Sequence, residues 1–248
     1  MKKLLLTVIV LLALSLLAGC SQPQETLPST SGTAPSTTLP IPTTQGDAPS
    51  VSIEEVYTQQ IARYYEAISN QWEEGAYFDH EMSSLTAYYY EGNALDNIGF
   101  AFMDLDGDNA NELIIGAIKN AERDPLVLEI WTVKNGEPVM LVQSGSRNRY
   151  YMQYAEDDQM WSVAYEAENG AANRAVYYLH LVAGEFKIIQ GVIFDAAANE
   201  NAPWFMAYDF DWNVSNDTPI NENTANAVIE AGRNIYTAIE YIPYRLYK

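Results

Sequence analysis

The stretch Ile98-Gly99-Phe100-Ala101-Phe102-Met103-Asp104-Leu105-Asp106-Gly107-Asp108-Asn109-Ala110-Asn111-Glu112-Leu113-Ile114-Ile115 holds a nine-residue acidic loop, Asp104–Glu112, between two apolar runs. Carboxylates stand at its first, third, fifth and ninth places. The flanking runs, Ile98–Met103 and Leu113–Ile118, are rich in β-branched and aromatic residues and short enough to be strands. A strand, a tight acidic loop and a returning strand make a hairpin, so the chain around it is expected to form an antiparallel sheet.

Downstream the same signature recurs. Leu126–Val133 and Val139–Gln143 flank Asn135-Gly136, a dipeptide that tolerates the positive φ of a two-residue hairpin turn. Arg149–Ala155 and Met160–Ala167 are joined across Glu156-Asp157-Asp158, and Ala175–Val182 and Phe186–Phe194 across Ala183-Gly184-Glu185. Side chains alternate in Ala175–Val182, which predicts one buried and one exposed face. Consecutive hairpins without intervening helices give a meander rather than a βαβ succession. His180 lies inside one of these strands with no second metal ligand at a useful spacing, and reads as a packed or half-exposed strand residue.

Helices are expected on either side. Ser52-Ile53-Glu54-Glu55 has the capping-box pattern, and Ile53, Val56, Ile61, Tyr64, Tyr65, Ile68 and Trp72 recur at steps of three and four, predicting one amphipathic helix up to about Glu74. A short second helix is expected around Met82–Tyr90. Near the end, Asn221 is a good N-cap for a helix Glu222–Ile235 with Ala225, Val228, Ile229 and Ile235 as its packing stripe. Tyr236–Tyr247 contains Pro243 and is expected to finish as an edge strand or extended tail. The fold class is therefore α+β: mainly an antiparallel meander with an N-terminal amphipathic helix and a C-terminal helix packed on it.

The first fifty residues read differently. Met1–Gly19 has a basic start at Lys2 and Lys3, an apolar core at Leu4–Leu14 and small residues before Cys20, the three parts of a secretory signal. Leu17-Ala18-Gly19-Cys20 matches the lipobox of bacterial lipoproteins. That resemblance implies diacylglycerol on the Cys20 sulfur, a mature chain beginning there, and a domain held at the extracytoplasmic face of the cell membrane. Ser, Thr and Pro supply 18 of the 30 residues from Ser21 to Ser50, with Glu25 and Asp47 the only charges. Such a composition cannot bury enough apolar surface to offset its ordering entropy, so it is expected to be an extended tether. The organisation is then a leader at 1–19, lipidated Cys20 with its tether to residue 50, and one extracytoplasmic domain over 51–248.

The whole chain has 248 residues and a formal net charge of -20, from 13 Lys+Arg against 33 Asp+Glu. Phosphate backbones are repelled by such a surface, which argues against nucleic acid as a partner, whereas cations, basic peptides and neutral sugars stay compatible. Cys20 is the single cysteine, so neither an intramolecular disulfide nor thiol catalysis inside the domain is expected. Two histidines make a His-rich zinc site improbable. No G-x-S-x-G, H-E-x-x-H or P-loop pattern occurs.

The acidic loop itself suits a hard cation. Ca²⁺ takes six to eight oxygen ligands in flexible geometry. Asp104, Asp106 and Asp108 can turn inward at alternate positions, the Ala110 carbonyl can add a backbone oxygen, and Glu112 can close the shell. Gly107 permits the tight bend, and Asn109 stands where a Gly commonly supplies positive φ. The sequence Asp104–Glu112 followed by Leu113 resembles the D-x-D-G-D-x-x-x-E-L calcium loop of FG-GAP (integrin α-propeller) and VCBS-type repeats. It also resembles the first half of an EF-hand or dockerin loop, although position twelve is Ile115 and strand rather than helix follows. The resemblance implies a structural Ca²⁺ bound between two strands. Lipobox, Thr/Pro tether and acidic domain together resemble lipoproteins of Gram-positive type, which brings no activity with it.

A second acidic stretch, Asp209–Asp217, also places oxygen side chains at alternate positions, through Asp209, Asp211, Asn213, Ser215 and Asp217. It reads either as a second ion site or as an amphipathic strand leading into a turn. Functionally the expectation is a Ca²⁺-stabilised binding or adhesion module on a spacer, with a glycan or protein ligand. The alternatives are an extracytoplasmic glycan hydrolase, given the 18 Tyr, 5 Trp and plentiful carboxylates, and an inhibitor or immunity-like lipoprotein for a basic partner.

Overall fold

The computed structural model describes residues 53–118, 125–156 and 160–247. The leader, Cys20, the tether, Ser52 and the turn residues Asp157 and Asp158 lie outside the described residues. Among the described residues eleven strands form one sheet: β1 (Ile98–Met103), β2 (Glu112–Ala117), β3 (Leu126–Lys134), β4 (Glu137–Gln143), β5 (Asn148–Ala155), β6 (Met160–Glu168), β7 (Asn173–Val182), β8 (Glu185–Asp195), β9 (Trp204–Ala207), β10 (Thr218–Ile220) and β11 (Ile242–Pro243). The order is β10-β9-β8-β7-β6-β5-β3-β2-β1-β11, with β4 paired to β3 outside that path. All pairings are antiparallel. This is the expected meander with one branch. β3 meets β5 only at Leu126 and Val127, and then turns its remaining edge to β4.

Helices α1 (Ile53–Val56), α2 (Thr58–Ser69), α3 (Glu74–Asp79) and α4 (Ala94–Asn97) precede the sheet, and α5 (Glu222–Arg233) follows β10. The single N-terminal helix expected up to Glu74 is in fact broken and shorter. It is interrupted at Tyr57, whose buried ring sends its hydroxyl to the Asn111 and Trp131 carbonyls. It then ends at Ser69 because Gln71 takes a left-handed φ of 49° and the chain closes a Schellman motif, with Gln71 N–H donating to Ile68 O and Trp72 N–H to Ala67 O. Trp72 therefore packs beyond the helix. The second short helix is a 3₁₀ segment, Ser84–Tyr89. In α5 the Asn221 side chain caps Thr224 N–H as expected. Ile235, expected on the packing stripe, is instead 39% exposed, because the helix stops at Arg233 and the Ile235 carbonyl is recruited by Tyr154 N–H of β5. Gly232 takes the buried place beside Tyr178.

The two faces of the sheet carry separate cores. On one, Phe100, Leu113, Ile115, Leu128, Trp131 and Tyr151 pack against Tyr57, Ile61, Tyr64 and Ile68 of the helical layer and against Tyr244. On the other, Ile114, Val127, Ile130, Met152, Val163, Tyr177, Leu179 and Ile193 gather with Leu105. Leu105 belongs to the β1–β2 loop, yet it shares this core with Leu181 and Phe186 beside the β7–β8 turn. The sheet curls until those two ends meet.

After α5 the chain runs as a strap. Thr237 N–H bonds Met152 O of β5, Tyr236 stacks on Tyr151 at 4.7 Å, and β11 joins β1. The Tyr241 ring crosses Gly99 and Gly116, a cross-strand pair whose missing side chains leave it room. Tyr236–Tyr247 thus ends as the expected edge strand, followed by a 3₁₀ turn, Tyr244–Leu246. Among the described residues no helix is long and apolar enough to cross a membrane.

One buried carboxylate fastens the helical layer to the sheet. Glu129 of β3 is 1% exposed and accepts from Ser83 N–H at 2.9 Å, Trp131 Nε1–H at 2.9 Å and Gln143 Nε2–H at 3.1 Å, with the Tyr64 hydroxyl also bonded to it. Burial pushes its pKa above the ordinary 4.5, while those donors pull it back. A carboxyl whose folded pKa is raised contributes stability that is complete below its unfolded value and is lost as pH rises through the folded one. Thermal melting between pH 4.5 and 7.5 should therefore fall more steeply for the native chain than for Glu129→Gln. The variant should also be less stable throughout, since its amide sets a donor against donors. Parallel curves would contradict the assignment.

Candidate metal centre

The centre begins with the β1–β2 hairpin. Register runs without slip from Ile98 opposite Ala117 to Met103 opposite Glu112, so the loop between them starts and ends at one fixed point. Gly107 and Asn109 have φ of 77° and 68°. Sequence called for a tight bend at Gly107 and left-handed backbone at Asn109, and Asn tolerates it better than any other side-chain-bearing residue.

Within that frame Asp104 organises the turn. Its Oδ1 accepts Gly107 N–H at 2.7 Å and its Oδ2 accepts Asn109 N–H at 2.9 Å. Asp108 Oδ1 accepts Ala110 N–H at 2.7 Å. The loop exit is held from outside by Tyr57, whose hydroxyl donates to Asn111 O at 3.1 Å. Asn111 Nδ2–H reaches Glu54 Oε1 at 3.3 Å.

Asp104, Asp106 and Asp108 each bring one carboxylate oxygen to within 4.8 Å of the others. Two carboxylates that close repel by about 3 kcal/mol in a surface-like dielectric, before salt screening. Asp104 and Asp106 are half-buried, while Asp108 is exposed. Asp106 Oδ2 accepts Gly184 N–H from the β7–β8 turn at 3.3 Å. Its Oδ1 is buried and has no hydrogen-bond partner. An unpaired carboxylate oxygen beside two further carboxylates fits a hard cation with oxygen preference, and the donor set contains no soft ligand.

Glu112 takes a different place. It is 2% exposed, its Oε2 accepts Leu105 N–H at 2.9 Å, and its Oε1 accepts the Thr132 hydroxyl at 2.9 Å. Burial raises its pKa, those two donors lower it, and Asp106 and Asp108 raise it further. The converging group is thus the three aspartates, with Glu112 locking the base of the loop behind them. Ala110 contributes its amide to Asp108.

The residues that sequence reasoning missed are Tyr57, Thr132 and Gly184. Each lies far from the loop in the chain, Gly184 by 78 positions from Asp106. No local pattern announces them; only the curl of the sheet brings them in.

The second acidic stretch connects β9 to β10 and ends in a 3₁₀ turn, Val214–Asn216. Its side chains cap successive backbone amides: Asp209 Oδ1 accepts Asp211 N–H, Asp211 Oδ1 accepts Asn213 N–H, and Asn213 Oδ1 accepts Ser215 N–H. It drapes over Tyr177, whose hydroxyl donates to Asp211 O at 3.3 Å. Burial raises the Asp217 pKa, with Asp209 and Asp211 adding to it. These carboxylates do not form a group like that of the first loop. Trp212 and Val214, set between the oxygen positions, pack instead into the core.

Comparison with known proteins sets nothing beside this geometry: no family model, no curated protein and no solved structure matches the chain.

Proposed function

We propose that the chain is a binding module held outside the cell by lipid on Cys20 and stabilised by one Ca²⁺ ion in the Asp104–Glu112 loop. The observation that carries the ion is the convergence of one carboxylate oxygen each from Asp104, Asp106 and Asp108, and it is supported by the buried Asp106 Oδ1, which has no hydrogen-bond partner. Ca²⁺ is favoured over Mg²⁺ because the loop offers several protein oxygens on an adaptable backbone, whereas Mg²⁺ demands a tight octahedron and retains waters. Its role is to tie the β1–β2 loop to the β7–β8 turn through Asp106, which closes the curled sheet. Support for the anchor comes from the lipobox and the Ser/Thr/Pro stretch after it.

The test of this reading is an array of glycans and peptides probed with the chain in millimolar Ca²⁺ and again after chelation. Selective binding of one ligand class is the expected result, and chelation should lower the melting temperature without abolishing that binding where the chain stays folded. A chain that binds nothing under either condition overturns the module reading. The anchor is checked separately by fractionation, where Cys20→Ala should move the chain from the membrane to the soluble fraction.

A further inference from the structure

Strand β1 is paired with β2 along its whole length. On its other side β11 covers only Gly99 and Phe100. Among the described residues, Ala101, Phe102 and Met103 therefore form a strand edge with no neighbour. Such an edge offers main-chain N–H and C=O groups as a template for another extended chain, and sheets ordinarily blunt it with charge, Pro or a covering loop. Here the edge borders an open groove of about 510 Å³. Trp161 of β6 and Ala238, Ile239, Glu240 and Ile242 of the strap complete its lining, and Glu240 is its one charged residue. Trp161 is half-buried and touches Tyr154 with ring centroids 4.8 Å apart.

The charge around the groove has one sign. Glu240 is exposed, and the chain passes from Met103 directly into Asp104, Asp106 and Asp108. A Ca²⁺ ion would cancel two of those three aspartate charges and leave the region negative. We propose that this groove takes an extended peptide segment bearing Arg or Lys, which adds to the free edge of β1 through main-chain hydrogen bonds. Its basic side chain pairs with Glu240 and lies against the Trp161 ring, where a guanidinium gains both charge and cation–π attraction. A second copy of the chain fits poorly, because it would bring a net charge of -20 against another -20. The inference rests on the binding-module reading and names its ligand class, but it does not require the ion.

The experiment titrates the full chain with three blocked hexapeptides at physiological salt, in millimolar Ca²⁺ and again after chelation. One alternates Val with Arg, one alternates Val with Glu, and the third is the Val/Arg peptide N-methylated at alternate amides. Tryptophan fluorescence and calorimetry read the binding. The Val/Arg peptide should bind saturably, the Val/Glu peptide at least tenfold more weakly, and N-methylation should cost at least tenfold. Trp161→Leu and, independently, Glu240→Gln should each weaken the Val/Arg peptide, with Glu240→Gln leaving the melting temperature unchanged. Glu200→Gln, at an exposed carboxylate of the β8–β9 connection, should leave the binding intact. No binding at millimolar peptide, equal binding of both charge types, insensitivity to N-methylation or to Glu240→Gln, or a loss in Glu200→Gln as large as that in Glu240→Gln would each overturn the proposal. So would an array on which only neutral sugars compete, or sedimentation showing a dimer that excludes the peptide. Val/Arg binding that persists after chelation while Ca²⁺ has no effect on melting would sink the ion and leave the groove standing.

Discussion

In millimolar Ca²⁺ the chain should melt about 5–10 °C higher than after chelation, and Asp104→Ala should abolish that difference. The magnitude follows from linkage: an ion present at a hundred times its Kd stabilises by about 2.7 kcal/mol, and a domain of this size gains about 2–4 °C per kcal/mol. Asp104 is the sensitive position because it both supplies an oxygen to the group and caps two loop amides. Without ion the variant loses two amide caps, about 1 kcal/mol each, but is relieved of repulsion from Asp106 and Asp108, so its deficit against the native chain should be smaller than in Ca²⁺. Asp209→Ala is the control, since its carboxylate serves a turn in the other acidic stretch. If it removes the Ca²⁺ response as Asp104→Ala does, acidity rather than loop geometry is what the ion senses. A melting temperature indifferent to Ca²⁺ removes the ion from the account.

The second large effect is expected at Gly99. A Cβ built there would lie 2.7 Å from the Ile242 carbonyl oxygen and 2.8 Å from Tyr241 Cβ. These atoms belong to the strap backbone and to the stem of a buried ring, so a rotamer change cannot relieve the contact. Gly99→Ala should destabilise by about 2 kcal/mol or more, in the range of core overpacking. Because the clash falls on the pairing of β1 with β11, amide exchange should rise first in Tyr241–Tyr244. Gly75→Ala is the matched comparison. It lies in α3 with nothing within 4 Å of the added methyl, and Ala is the better helix former by about 1 kcal/mol. Equal and small effects at both positions would show that the strap yields freely.

Much of this fold is legible before any coordinates, and the legible parts share a cause. β1 to β8 each alternate or run apolar over several residues and are separated by turns of recognisable chemistry, such as Asn135-Gly136 with φ of 55° and 82°. β9 and β10 are not legible, because four and three residues are too few to show a period. The end of α2 was hidden for another reason. Its left-handed position holds Gln71 rather than the Gly that usually announces a Schellman motif.

The candidate metal centre divides the same way. Asp104, Asp106, Asp108 and the left-handed Gly107 and Asn109 are local, so spacing alone identifies them. Spacing offers Glu112 as the ligand that closes the shell, whereas its two oxygens accept from Leu105 N–H and from the hydroxyl of Thr132, a partner on another strand. Gly184 enters only because Leu105 and Phe186 pack together when the sheet curls. Tertiary contacts of that kind leave no periodic trace in a sequence.

The most direct test of the account is a count of bound ions by equilibrium dialysis of the purified chain against micromolar to millimolar Ca²⁺. One Ca²⁺ per chain, lost in Asp106→Asn, is the expected result. No bound ion at millimolar Ca²⁺, or one that survives Asp106→Asn, would contradict it.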